Sequence, residues 1–191
     1  MKKLVRSDIL GPRRYAEVRD ERRRAIIERK KLRRVHVGPQ VTMVFENRDT
    51  MASQIEEMCR AEGLEDDAKI EEELAVYNQV LPDDGQLAAT LFVEVVTEAA
   101  IARTLERLVG LQDHVWLVVG GGRVRATFDP DQFKNDKLAA VQYLKFPLGP
   151  DEQAALRAPG TAVAVAIDHP NYRHTASLDE PMRAELARDL D

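Results

Sequence analysis

One cysteine, Cys59, stands in a chain of 191 residues. That count excludes an internal disulfide framework, a zinc site built only of thiolates and a Cys-ligated iron–sulfur cluster within one copy. Aromatic residues are scarce at 5%, which leaves few rings for stacking nucleobases or sugars. No segment approaches the roughly 18 consecutive apolar residues of a membrane span. The opening "MKKLVRSDIL" has charge but no long apolar run behind it, so a cytoplasmic protein without a membrane span is the expectation. Phosphate-loop and dinucleotide fingerprints are absent: "VVGGGRVRA" precedes a strand pattern, not a helix, and reads as a hairpin connection. Ser7, Ser53 and Ser177 lie outside any G-x-S-x-G context.

Charge and aliphatic residues are abundant. Charged residues make up 32% and apolar residues 44%, enough for one compact domain with a Val, Leu, Ile and Ala core. The net charge of -5 conceals a split, because residues 1–36 hold 14 Lys/Arg against 5 Asp/Glu and the remainder is strongly acidic. "RRYAEVRDERRRAIIERKKLRR" runs without a helix breaker, and Tyr15, Val18, Ala25, Ile26 and Leu32 form only a thin stripe interrupted by Arg22 and Arg29. A half-buried basic helix follows from this. It can meet nucleic acid, an acidic partner, its own acidic face or that of a second copy in a homodimer. Nucleic acid is the least favoured, since the cations encircle the helix and few side chains suit base edges.

"VTMVFEN" has strand character, with Asp49 or Thr50 as the cap of a helix through "MASQIEEMCRAEG". Met51, Ile55, Met58 and Cys59 share a face, which makes Cys59 a core residue. A second helix, "DAKIEEELAVYNQVL", repeats the pattern with Ile70, Leu74, Tyr77 and Leu81. Beyond it, "QLAATLFVEVV", "DHVWLVV", "RVRATFD", "LAAVQYLKFPL" and "TAVAVAID" read as strands and "EAAIARTLERLVG" as a helix. The order fits a single α+β domain with one mixed or mostly antiparallel sheet covered by helices. It divides into a basic helical segment over 1–36 packed on an α+β domain over 37–191.

The blocks "VHVGPQVTMVFENRDTMASQIEEMCRAE", "IEEELAVYNQVLPDDGQLAATLFVE" and "DHPNYRH" resemble a bacterial family catalogued as domain of unknown function 3501, nearly end to end. The resemblance implies a gene neighbourhood with rubrerythrin and an iron–sulfur oxidoreductase, and so redox proteins as partners and a role near peroxide metabolism. Where the family pattern carries a histidine, this chain has Gln142.

Chemistry concentrates in two stretches. In "DHPNYRH", Asp168, His169, Tyr172 and His174 offer a carboxylate, two imidazoles and a phenol. Asp168, His169 and His174 have donors for a divalent transition metal such as Zn, Mn or Fe, or for acid–base work. Histidines five apart diverge by roughly 140° on a helix, so they converge only in a bent loop, which Pro170 favours. The competing reading is a strand-exit turn with Tyr172 packed on the sheet. In "FENRDT", Glu46 and Arg48 stand at a strand-to-helix junction suited to an anion, with Gln54 and Glu57 further along the same helix. These residues are expected to share one polar hollow. The activity suggested is that of an accessory protein binding a ligand or protein near redox metabolism. The alternatives are a metal-dependent or acid–base enzyme and a nucleic-acid module.

Overall fold

A computed structural model describes residues 1–95, 97–130, 132 and 138–190. Gly11 and Pro12 start α1, Pro12–Lys31, where proline at the first helical position costs no hydrogen bond. The chain continues as β1 Arg34–His36, β2 Val41–Glu46, α2 Arg48–Glu62, α3 Asp67–Val80, β3 Gln86–Val93 and α4 Glu98–Arg107. Then come β4 Val115–Val119, β5 Gly122–Arg125, β6 Thr127–Phe128, β7 Val141–Pro147, α5 Pro150–Arg157, β8 Val163–His169, β9 Tyr172–Leu178 and α6 Glu180–Ala187. No helix of the described residues is long and apolar enough to cross a membrane.

The α+β class holds, but the strands form two antiparallel sheets where one was expected. The larger has the order β1-β2-β3-β7-β6 and the smaller β5-β4-β8-β9. The "RVRATFD" stretch, read as one strand, breaks at the buried Ala126: β5 pairs with β4 in the small sheet and β6 with β7 in the large one. On the far side β1 approaches β9. Met43, Phe45, Leu91 and Phe146 of the large sheet share one core with Leu117, Val165 and Ile167 of the small sheet, closed at one end by Leu156 of α5 and Leu186 of α6. Each such buried side chain contributes roughly 1.5–3 kcal/mol. The glycine turn is the hairpin expected, with Val119 opposite Gly122.

A second apolar cluster joins α2, α3 and the first ten residues, through Met51, Ile55, Cys59, Ile70, Leu74, Leu4 and Ile9. Cys59 is buried there. The basic helix settles on acids of α2 and its continuation: Arg13 meets Glu65 at 2.8 Å, Arg19 meets Glu57 at 2.8 Å and Arg22 meets the buried Glu56 at 3.0 Å. Arg29 pairs with Asp49. Asn47, not Asp49 or Thr50, is the α2 cap; its Oδ1 accepts from the N–H groups of both.

Arg33, the residue after the cap of α1, is fully buried. Its guanidinium donates to both Asp189 oxygens at 2.6 and 2.8 Å, to Glu185 at 3.2 Å and to the Phe45 carbonyl at 3.4 Å. Asn47 also donates to Asp189 at 3.0 Å. Removing one member of such a buried cluster leaves the other charges desolvated and unpaired. Arg33→Ala is therefore expected to lower the unfolding free energy by about 3–5 kcal/mol, read by urea denaturation. Replacing Arg33, Glu185 and Asp189 together by Met and Leu recovers most of that loss. A small effect of Arg33→Ala contradicts the assignment.

Candidate functional site

"DHPNYRH" is a hairpin. His169 ends β8, Tyr172 begins β9 and the two residues pair across the Pro170-Asn171 turn. The chain does not leave the sheet there, as a strand-exit turn would; "YRHTASL" is the next strand. Strand alternation then separates the side chains. His169 and Tyr172 point into the interior, and Asp168 lies on the opposite, outer face.

His169 Nε2 donates to the Val109 carbonyl at 3.0 Å, and its Nδ1 accepts from the Asn171 N–H at 3.2 Å. Both ring nitrogens are thus occupied by backbone, and neither has a lone pair to give a metal. The Tyr172 hydroxyl donates to the Val37 carbonyl at 2.6 Å and accepts from the Gln40 N–H at 3.1 Å. Burial pushes its phenol above the ordinary value of 10.0. His174 packs on the Tyr172 ring at 4.5 Å between centroids. Gly38 lies against both with φ of 78°, and a Cβ there would collide with the imidazole and the hydroxyl. These residues knit the 37–40 loop to the hairpin.

The "FENRDT" residues are spent elsewhere. Glu46 is 1% exposed and accepts from Thr90 at 2.9 Å and Gln54 at 3.5 Å. Arg48 donates to the carbonyls of Lys2 and Lys3 and pairs with Asp8 at 2.9 Å. With Asn47 occupying the first N–H groups of α2, the anion cradle expected at this helix start is already filled by the protein's own groups. Glu57 accepts from Tyr15 and Arg19, both at 2.8 Å.

The eight candidates therefore do not meet in one hollow. Asp168, His169 and His174 do not form a ligand set, and among the described residues no group of three His, Cys, Asp or Glu side chains is placed to hold a metal ion. Gln142 is buried in the core, where its amide N–H donates to Ala139 O at 2.9 Å. Nor does a nucleophile and base pair emerge at His36. Thr42 accepts from His36 Nδ1 at 2.9 Å while donating to Glu94, a polarity opposite to that of an imidazole-activated hydroxyl.

Asp168 instead anchors a cluster that sequence reasoning missed. It accepts from Arg123 at 2.7 Å, Trp116 Nε1 at 3.3 Å and His114 Nδ1 at 3.3 Å. The Arg123 guanidinium sits 4.4 Å from the Trp116 ring centre, a cation–π contact. Arg123, more than its neighbours His114 and Trp116, holds the Asp168 carboxyl below its ordinary 3.8. Beside the cluster runs an open groove of about 480 Å³ over Ala164 and Ala166, bounded by Val118, Arg123, Arg173 and Thr175. Trp116 and Val118 stand half-exposed at the outward positions of "VWLVV". Apolar side chains at alternate outward positions of a strand were the signal available in the sequence.

Residues 3–190 match the family described as "Protein of unknown function (DUF3501)". The chain belongs to this family. A crystal structure of a novel protein of unknown function from Burkholderia pseudomallei is similar, with 36% identity, a TM-score of 0.93 and complete coverage of both chains. No curated protein matches the chain.

Two outcomes check the site geometry. Tyr172→Phe leaves the Val37 carbonyl and Gln40 N–H without their partner and is expected to cost about 1–2 kcal/mol in thermal or urea unfolding, with Gly38→Ala costing more. Glu57 is held at about 2, below the ordinary 4.5, first by its hydrogen bond from Arg19. A lowered carboxyl favours the folded state above 4.5, and that benefit is lost as pH falls toward about 2. Melting temperature is expected to drop across that window, and Glu57→Gln to flatten the drop.

Proposed function

We propose that the protein is an accessory binding module near redox or peroxide metabolism, holding an acidic segment of a partner protein on the outer face of β4, β8 and β9. The observation that carries this reading is the exposed Arg123–Trp116–Asp168 cluster at the edge of a groove that Arg173 bounds on the other side. Trp and Arg are the side chains that dominate binding energy at interfaces, because they combine large contact area with directional donors. Arg123, Arg125 and Arg173 on this face outnumber the carboxylates beside them, Asp168 and Asp113, which favours an anionic occupant. Ala164 and Ala166 leave room for an extended segment between them.

The iron–sulfur oxidoreductase and rubrerythrin that the family resemblance implies are the partners to try. Cytoplasmic location accords with such partners. A metal-dependent or acid–base reading has no comparable support, since His169 is spent on backbone and Asp168 and Glu57 on arginines, while Glu46 is bonded to Thr90 and Gln54 and His174 packs on the Tyr172 ring. Nucleic acid has less still: Arg13, Arg19, Arg22, Arg29 and Arg33 are neutralised by the chain's own carboxylates.

Isothermal titration of the purified protein into each partner tests the proposal. Binding that weakens steeply with added salt, and at least about tenfold with Arg123→Glu and Arg173→Glu together, is the expected result. Absence of association at tens of micromolar, or an affinity unchanged by those substitutions, overturns it.

A further inference from the structure

Three donors converge on one solvent-reachable carboxylate on the outer face of the small sheet. Arg123 extends from β5 across the Trp116 ring, 4.4 Å from its centre, and donates to Asp168 Oδ2 at 2.7 Å. Oδ1 accepts from Trp116 Nε1 and His114 Nδ1, both at 3.3 Å, longer than the roughly 2.9–3.0 Å at which such bonds settle. The side chains of Asp168, Arg123 and His114 keep 44%, 48% and 35% of their surface. Sheet register and the stacked guanidinium hold the donors, whereas the acceptor is loosely gripped, and an exposed ion pair of this kind contributes little to stability.

The Asp168 backbone is pinned. Its N–H donates to the His114 carbonyl at 3.1 Å, and β8 and β9 set the residue opposite Arg173. Only the side chain is free to turn. Directly opposed residues of antiparallel strands project from the same face, so Arg173 is a second cation for this carboxylate. Arg173 is exposed and has no ion pair among the described residues.

We infer that Arg123, Trp116 and His114 form a carboxylate-binding site that Asp168 fills as an internal stand-in, and that an incoming Asp or Glu side chain takes the three donors while Asp168 turns to Arg173. The inference rests on the reading of this face as the seat of an acidic segment, and it names the subsite and what is displaced there. Asp168 then opposes binding, because the vacant form of the site is only a fraction of the population and the apparent affinity falls by that fraction. A residue that merely positioned Arg123 and Trp116 for a ligand would have the opposite effect.

Titration of a capped tetraglutamate peptide into the full chain at low salt, followed by the fluorescence of Trp116, the one tryptophan of the sequence, is the test. Asp168→Ala is expected to bind the peptide at least about tenfold tighter than the wild type. Asp113→Ala removes an equal charge from beside Arg125 without vacating the three donors, and is expected to gain no more than about threefold. Adding Arg123→Gln to Asp168→Ala abolishes the gain. An Asp168→Ala protein that fails to bind the peptide, binds it no tighter than Asp113→Ala, or binds it more weakly than the wild type overturns the inference. The redox proteins take no part in this titration, so its failure is distinct from a failure of their association.

Discussion

Protein encloses the Arg33 guanidinium completely, and distant parts of the chain come together to meet it. Asp189 and Glu185 arrive from the C-terminal helix and the turn after it, and the Phe45 carbonyl from the end of β2. Asn47 reaches the same Asp189 while capping α2. The first helix, the strand that opens the large sheet, the start of the second helix and the C-terminal turn are therefore one unit. A buried ion cluster adds little net stability over well-packed apolar side chains, but it tolerates only one arrangement of its members. Here that arrangement sets where α1 ends and how the C-terminal turn closes the core.

Much of the fold was legible because periodicity reports burial. Met51, Ile55 and Cys59, and then Ile70 and Leu74, lie on the faces their spacing indicated, and "VTMVFE" and "QLAATLFV" are the central strands of the large sheet. The division into two sheets was not legible, since it turns on the bend at Ala126 inside an unbroken strand pattern. Nor was β9: "YRHTASL" is polar on its outward side and interrupted by His174 inward, as suits a strand at the margin of a sheet. β1 has only three residues and follows a basic run. Arg33 sits at the end of that run, where any rule for charged tracts places it in solvent.

The candidate site failed for a related reason. Residues grouped by chemistry in a short stretch are sent to opposite faces when that stretch is a strand, so Asp168 parts from His169 and Tyr172. The polar side chains that drew notice, among them Tyr172, His169, Glu57 and Arg48, prove to be holding loops and helices in place. What remains for a partner is a half-exposed indole and three arginines on the small sheet, two of them paired only at the surface, with Asp168 and Asp113. They come from β4, β5 and β9, and only the register between strands brings them together.

The motif residues hold backbone, which leaves the outer face of the small sheet as the proposed binding surface. Amide shift mapping by NMR of the labelled protein, with the iron–sulfur oxidoreductase that the family resemblance implies added, tests that division most directly. Perturbations are predicted along residues 115–119, 164–168 and 173–175, with the 37–40 loop unchanged. Shifts confined to that loop, or to the start of α2, with the sheet face silent, would contradict it.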